Sequence, residues 1–216
     1  MEGPGEEGMG AMAQDFMRAH GDKQKAQRVD QIVEAALALY DEVGYDKITF
    51  SKLAKGLGFT RINLYNYFKT KEDLFLEIVR RSYEELVDDL LETLPHERKD
   101  RRSFFCSWVE VIARHPRTIE LFVLMNMQVL RNVGKDRQEE FQEYLDSMVK
   151  KAAGRAALSL DIDEADVAWR LVAHLLNYAM GLYPIIIRRY GYTDEAEEAF
   201  KEGYGAFTDA LDPQVG

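Results

Sequence analysis

Residues 55–74 read KGLGFTRINLYNYFKTKEDL, and the fold turns on how this stretch is read. The chain is acidic overall, with 28 Lys plus Arg against 38 Asp plus Glu in 216 residues. Yet no carboxylate occurs from Lys47 to Lys71, a span that holds Lys47, Lys52, Lys55, Arg61, Lys69 and Lys71. Within it, Leu53, Leu57, Phe59, Leu64 and Tyr67 are spaced as the inner faces of two short helices. Ala54 lets those helices approach closely, and Gly58 suits a tight turn that needs positive φ. Thr49 and Thr60 stand where N-caps are wanted, before FSKLAKGL (50–57) and RINLYNYF (61–68). Short helix, glycine turn and second short helix make a helix-turn-helix corner, whose second helix is built to enter a major groove. A carboxylate facing phosphate weakens such an interface, whereas each Lys or Arg that displaces a counterion strengthens it.

The residue types divide into roles. Arg61, Ile62 and Asn63 open the second helix and face outward. Arginine pairs with guanine, asparagine with adenine, and isoleucine meets a thymine methyl. Tyr65, Tyr67 and Lys71 have the reach for phosphates, as do the hydroxyl and backbone N–H of Thr60. Lys52 and Thr49 could add contacts at the flank. The bland alternative is that helix-glycine-helix corners are common in helical proteins, and a charge run is often only a solvated face. Phe68 reads as core.

The same kind of spacing organises the rest of the chain. Residues 1–21 (MEGPGEEGMGAMAQDFMRAHG) are glycine-rich, lack a sustained period, and are expected to be a disordered leader outside the fold. From Asp22, Val29, Ile32, Val33, Ala36, Leu37 and Tyr40 mark a helix that Gly44 stops. Thr70 and Asp73 form a capping box with Asp in the Glu role, opening a helix that runs to Leu94 before Pro95. Further helices are expected at 101–115, 117–132, 135–159, 164–190 and 194–211, with no strand-like alternation. The fold class is all-α, about nine helices: a three-helix helix-turn-helix domain over 22–70, a connecting helix over 71–94, and a helical bundle over 95–216.

Composition narrows function further. One cysteine, Cys106, excludes an internal disulfide, and its neighbours SFFCSWVEV suggest a buried thiol in a reducing compartment. No apolar run approaches the ~20 residues of a membrane span, and the expected location is cytoplasmic, with no membrane partner. The four His are scattered at 20, 96, 115 and 174, with no Glu-x-x-His or His-x-x-x-His pair and no glycine-rich phosphate loop. We therefore expect no enzyme activity, metal or cofactor. Charge is uneven: residues 1–21 carry −3, residues 22–80 carry +1, and residues 81–216 carry −8.

The run IVEAALALYDEVGYDKITFSKLAKGLGFTRINLYNYFKTKEDLFLEIV resembles the N-terminal domain of the TetR family of transcriptional regulators. The match covers residues 29–79, through Ala35-Ala36-Leu37, Gly44, Thr49, Leu53-Ala54, Gly58, Leu64-Tyr65, Tyr67-Phe68, Lys71-Glu72 and Leu74. The resemblance implies a two-domain, all-helical homodimer in which one domain binds operator DNA and the other a small effector that weakens DNA binding. It places DNA contacts at Thr49, Thr60, Arg61, Ile62, Asn63, Tyr65, Tyr67 and Lys71. Asn63 stands where the family often has Thr or Ser, and Ile62 where Gly, Ala or Pro is common, so the operator sequence does not carry over. The resemblance favours a repressor.

Beyond residue 95 only the general plan of the family carries over. Large, adaptable side chains such as Phe105, Trp108, Phe122, Met125, Tyr144 and Met148 would line a pocket for an apolar effector, or simply fill a core. Asn126, His174 and Asn177 interrupt apolar faces and, with Tyr178, complete the candidate pocket. The last two helices are expected to form a four-helix dimer interface through Leu171, Leu175, Leu182 and Ile186 on one and Gly203, Tyr204 and Phe207 on the other. Glycine inside a helix costs about 1 kcal/mol relative to alanine, which close approach of another helix would explain. Two reading heads on a two-fold axis ask for a near-palindromic operator. The alternative is a regulator of the same fold that is controlled by a partner protein or has no small-molecule effector.

Overall fold

The computed structural model describes residues 6–97 and 101–211, with side chains from Lys23 onward. Its helices are α1 (Glu6–Val43), α2 (Phe50–Leu57), α3 (Arg61–Tyr65), α4 (Lys71–Thr93), α5 (Arg101–Arg114), α6 (Pro116–Leu124), α7 (Lys135–Leu160), α8 (Ala165–Tyr190) and α9 (Asp194–Ala210). A 3-10 turn at Tyr45–Lys47 joins α1 to α2. A π-helical turn, Met125–Val129, and a 3-10 turn, Leu130–Asn132, prolong α6. There is no strand among the described residues, and the fold is all-α as expected.

The first helix corrects one expectation. Helical backbone begins at Glu6 rather than Asp22, so most of the segment read as a leader is continuous with α1; residues 1–5 lie outside the described residues. Glu6, Glu7, Ala11, Met12, Ala13 and Gln14 are all good helix formers. That backbone preference operates without the apolar period that was sought. α3 is shorter than expected, ending at Tyr65 rather than Phe68.

Packing divides the chain into two compact units, residues 1–74 and 75–216, with the division inside α4. It lies a few residues past the expected start of the connecting helix. In the first unit Ile32, Val33, Ala36, Ile48, Phe50, Leu53, Ala54, Leu64 and Phe68 are buried. α1 packs on α2, and α2 on α3.

In the second unit α8 packs against α6, α7 and α9, and α5 against α7 and α9. A buried hydrogen-bonded chain ties three helices together. Trp108 Nε1 on α5 donates to the Tyr204 hydroxyl on α9 at 2.7 Å, and that hydroxyl donates to the Leu175 carbonyl on α8 at 2.6 Å. Elsewhere Arg114 and His115, at the join of α5 and α6, both bond the Asp89 carboxylate of α4 at 2.9 Å. α8 also revises the membrane reading. By length and composition it is apolar enough to cross a membrane, with a mean hydropathy of 1.3 over its best window. It packs on α6, α7 and α9, with 28% of that apolar stretch buried within the chain.

Cys106 is exposed, not buried. The inward face of α5 is set by Phe104, Phe105, Trp108, Val109 and Ile112, and the helical period turns residue 106 outward. In α9, Gly203 does meet another helix closely, but within the same chain. A Cβ there would lie 3.4 Å from a Leu182 methyl, while nothing lies within 4 Å of one at Gly205.

Removing the Tyr204 hydroxyl should leave the Trp108 N–H buried without a partner. Tyr204→Phe should lose about 1–3 kcal/mol of stability in urea unfolding, with an unchanged dependence on denaturant.

Candidate nucleic-acid interface and effector cleft

Caps and one glycine shape the helix-turn-helix. The Thr49 hydroxyl accepts from Lys52 N at 3.3 Å and starts α2; the Thr60 hydroxyl accepts from Asn63 N at 3.2 Å and starts α3. Gly58 ends α2 in the left-handed conformation, φ 66°, which side chains adopt only with strain. Thr70 and Asp73 form the expected reciprocal cap: Asp73 N donates to Thr70 Oγ1 at 3.0 Å, and Thr70 N to Asp73 Oδ2 at 3.2 Å.

Burial of Leu64, and of Leu53 and Ala54 opposite it, sets the rotation of α3. Arg61, Ile62 and Asn63 are consequently exposed, Ile62 to 74%. An exposed isoleucine gains nothing from water, and its place at the tip of α3 suits contact with an apolar base edge. Thr49, Lys52, Thr60 and Lys69 are exposed around it, and Tyr67 is half-buried.

Three of the predicted contact residues, Arg61, Tyr65 and Lys71, are already engaged. Arg61 donates to the Tyr65 hydroxyl from Nε at 3.1 Å and from Nη2 at 2.6 Å, and the Tyr65 ring leans on Phe50 at 5.2 Å. Tyr65 thus braces the arginine that sequence assigns to base reading. The Lys71 ammonium lies 3.8 Å over the Tyr45 ring and bonds the Tyr45 carbonyl at 3.2 Å. Burial, followed by the Glu72 carboxylate that accepts from its hydroxyl, pushes the Tyr45 phenol well above the ordinary range. Lys71 is thereby half-buried at the end of the first unit, where the sequence suggested a free phosphate-binding lysine. Thr49, Arg61, Tyr65, Lys69 and Lys71 share the rim of a cleft of about 330 Å³.

In the second unit, a cleft of about 490 Å³ opens between α4, the π-helical continuation of α6, α7 and α8. Of the candidate effector residues, Phe122, Asn126 and Asn177 line it. The others do not. Phe105, Trp108, Met125 and Met148 are buried core. Tyr144 donates to the Arg80 carbonyl at 3.1 Å, and His174 is exposed with Nδ1 2.7 Å from the Arg170 carbonyl. Tyr178 stacks on Phe207 at 3.8 Å, on the α8–α9 face. Sequence reasoning missed Tyr83, Asp146, Trp169 and Leu176, which also line the cleft. Tyr83 had been left in a connecting helix, and no local pattern ties it to α8.

The proposed dimer residues divide in the same way. Leu175 and Tyr204 are fully buried within one chain, because the stripe drawn through α8 crossed from its inner to its outer face. Leu171, Leu182, Ile186, Gly203 and Phe207 remain half-buried, and Ile185 beside them is 58% exposed. Among the described residues no three His, Cys, Asp or Glu side chains come together as a metal site.

Residues 32–78, the segment that builds this corner, match the family model of bacterial regulatory proteins, tetR family. Over residues 32–78 the chain matches the TetR family. Curated relatives match part of the chain. The fatty acid metabolism regulator protein of Bacillus subtilis (strain 168) is 30% identical over 93 residues, 43% of this chain and 46% of its own. IcaR of Staphylococcus epidermidis, the negative transcriptional regulator of the biofilm operon icaADBC, is 29% identical over 62 residues, 29% of this chain and 34% of its own. The chain thus spans less than half the length of these curated relatives. Among solved structures, FadR of B. subtilis in complex with stearoyl-CoA shares the fold, with a TM-score of 0.56. It is 15% identical, over 86% of this chain and 98% of the other. The fold shared with that structure therefore extends through the second unit.

Thr60→Ala should remove the cap of α3 at a cost of about 1 kcal/mol. Hydrogen exchange should show a faster amide at Asn63, with α8 amides unchanged.

Proposed function

We propose that this chain is a cytoplasmic transcriptional repressor that binds a near-palindromic operator as a homodimer and leaves it when a small effector fills the α6–α7–α8 cleft. One observation carries the DNA reading: Arg61, Ile62 and Asn63 stand exposed at the N-terminal end of α3, in a span without a carboxylate from Lys47 to Lys71. In that role Arg61, Ile62 and Asn63 read base edges, Arg61 steadied by Tyr65. Thr49, Lys52, Thr60, Tyr67 and Lys69 face phosphates. Lys71 contributes positive potential from its seat on Tyr45. The repressor sense is supported by the similarity to the negative regulator IcaR.

Dimerisation follows from the half-buried apolar face that Leu171, Leu182, Ile186 and Phe207 leave on α8 and α9. A second copy laid on that face would give two reading heads. An effector that binds the DNA-incompetent arrangement better must loosen DNA by the same coupling energy with which DNA opposes the effector. The relative with stearoyl-CoA supports an apolar effector, but no Lys or Arg lines this cleft among the described residues, so an anionic coenzyme A headgroup would find no partner there.

Selection of bound fragments from random DNA should return a sequence with two inverted half-sites; recovery of no enriched sequence at low salt would refute the proposal. On the selected duplex, Arg61→Ala should cost about 1–3 kcal/mol and relax preference at one symmetric base pair. Lys69→Ala should weaken all sequences alike and lower the slope of log K on log salt by about 1.

A further inference from the structure

The larger cleft of the second unit has a polar group at its wall that its own fold does not satisfy. Tyr83, on α4, is 3% exposed and lines the cleft, with its ring 5.2 Å from that of Phe122. Its hydroxyl bonds no partner among the described residues, whereas no fully buried side-chain N or O atom lacks one. The oxygen must therefore reach open space, and the space that Tyr83 borders is the cleft. Burial drives its phenol far above the ordinary range, so the group is neutral and offers one donor and an acceptor.

The rest of the lining selects against charge. The one ionisable side chain besides Tyr83 is Asp146, and it is already occupied: Lys150 Nζ lies 2.6 Å from Oδ2, and Trp169 Nε1 donates to Oδ1 at 2.9 Å. The bond from Lys150 holds the carboxyl below its usual range, so it is ionised. A ligand anion would meet this carboxylate with no base to receive it; a ligand cation would have to displace Lys150. Asn177 and Gln142 make no side-chain hydrogen bond among the described residues, and both line the cleft. Phe122, Trp169 and Leu176 supply apolar wall between these polar points.

We propose that this cleft takes a neutral, planar, amphipathic molecule whose hydroxyl or carbonyl end bonds the Tyr83 hydroxyl, with an aromatic body against Phe122 and Trp169. The ligand class rests on the reading of the cleft as the effector site, but its test does not need DNA.

The chain has two tryptophans, Trp108 fully buried and Trp169 at the cleft, so Trp169 fluorescence reports occupancy locally. The full chain is titrated with four probes of matched shape: biphenyl, 4-hydroxybiphenyl, biphenyl-4-carboxylate and 4-(aminomethyl)biphenyl. We expect 4-hydroxybiphenyl to change the emission of the wild type but not of Trp169→Phe, and to bind at least about tenfold tighter than either charged analogue. Tyr83→Phe should weaken 4-hydroxybiphenyl about five- to tenfold, as expected for one lost hydrogen bond, and leave biphenyl unchanged. The proposal is overturned if a charged analogue binds as tightly as the phenol. It is equally overturned if Tyr83→Phe weakens biphenyl and 4-hydroxybiphenyl alike, or if no probe changes Trp169 emission. Binding of 4-hydroxybiphenyl without loss of the selected operator would support the ligand class and overturn the effector role.

Discussion

Burial of Leu53, Ala54 and Leu64 at the meeting of α2 and α3 is the constraint on which the reading surface depends. Ala54 permits the approach, and Gly58 turns the chain at φ 66° so that Leu64 can fall inward. With Leu64 inside, the helical period turns Ile62 and Asn63 outward, and Arg61, in the first turn of α3, is exposed as well. A larger residue at 54 would move α3, and every proposed base contact would move with it. The Thr49 and Thr60 caps hold two helices too short to persist alone, and the packing of α1 supplies the rest of their stability.

In the second unit the comparable constraint is the buried chain from Trp108 through Tyr204 to the Leu175 carbonyl. Three helices from distant parts of the sequence are pinned by two polar contacts in an otherwise apolar core. A partly satisfied core network is costly, so these helices have little freedom to slide. The cleft proposed for an effector lies elsewhere, against the π-helical turn at Met125–Val129, where the backbone of α6 departs from regular helix. Such turns cost stability and are found where a helix is shaped around a site. Asn126, within that turn, bonds the Phe122 carbonyl at 2.9 Å.

The corner was legible because its signals are local. Thr49, Gly58, Thr60, Thr70 and Asp73 act on neighbours within four residues, and each did what its chemistry allows. The engagement of Arg61 by Tyr65, four residues on, also follows helical spacing, although the sequence reading did not pair them. The cleft was legible only in part. Trp108 and Met148 have the composition of pocket residues and of core residues equally, and nothing local tells the two apart. The phase of a long helix was misjudged for the same reason: in α8, Leu175 and Leu182 belong to one apolar stripe, yet one is buried in its own chain and the other is half-open. Cys106 was misplaced because its apolar neighbours were weighed without their period.

The sequence by itself determined the helices, their caps, the acid-free span and the three residues at the tip of α3, since each depends on spacing along a few turns of chain. Only the tertiary structure decided that Tyr83 meets Phe122 and Trp169 around one cleft, that Tyr204 completes a core, and that Lys71 rests on Tyr45. Those pairings join residues 26 or more positions apart, and the side chains' chemistry permits many such partners. Packing of the helices selects one.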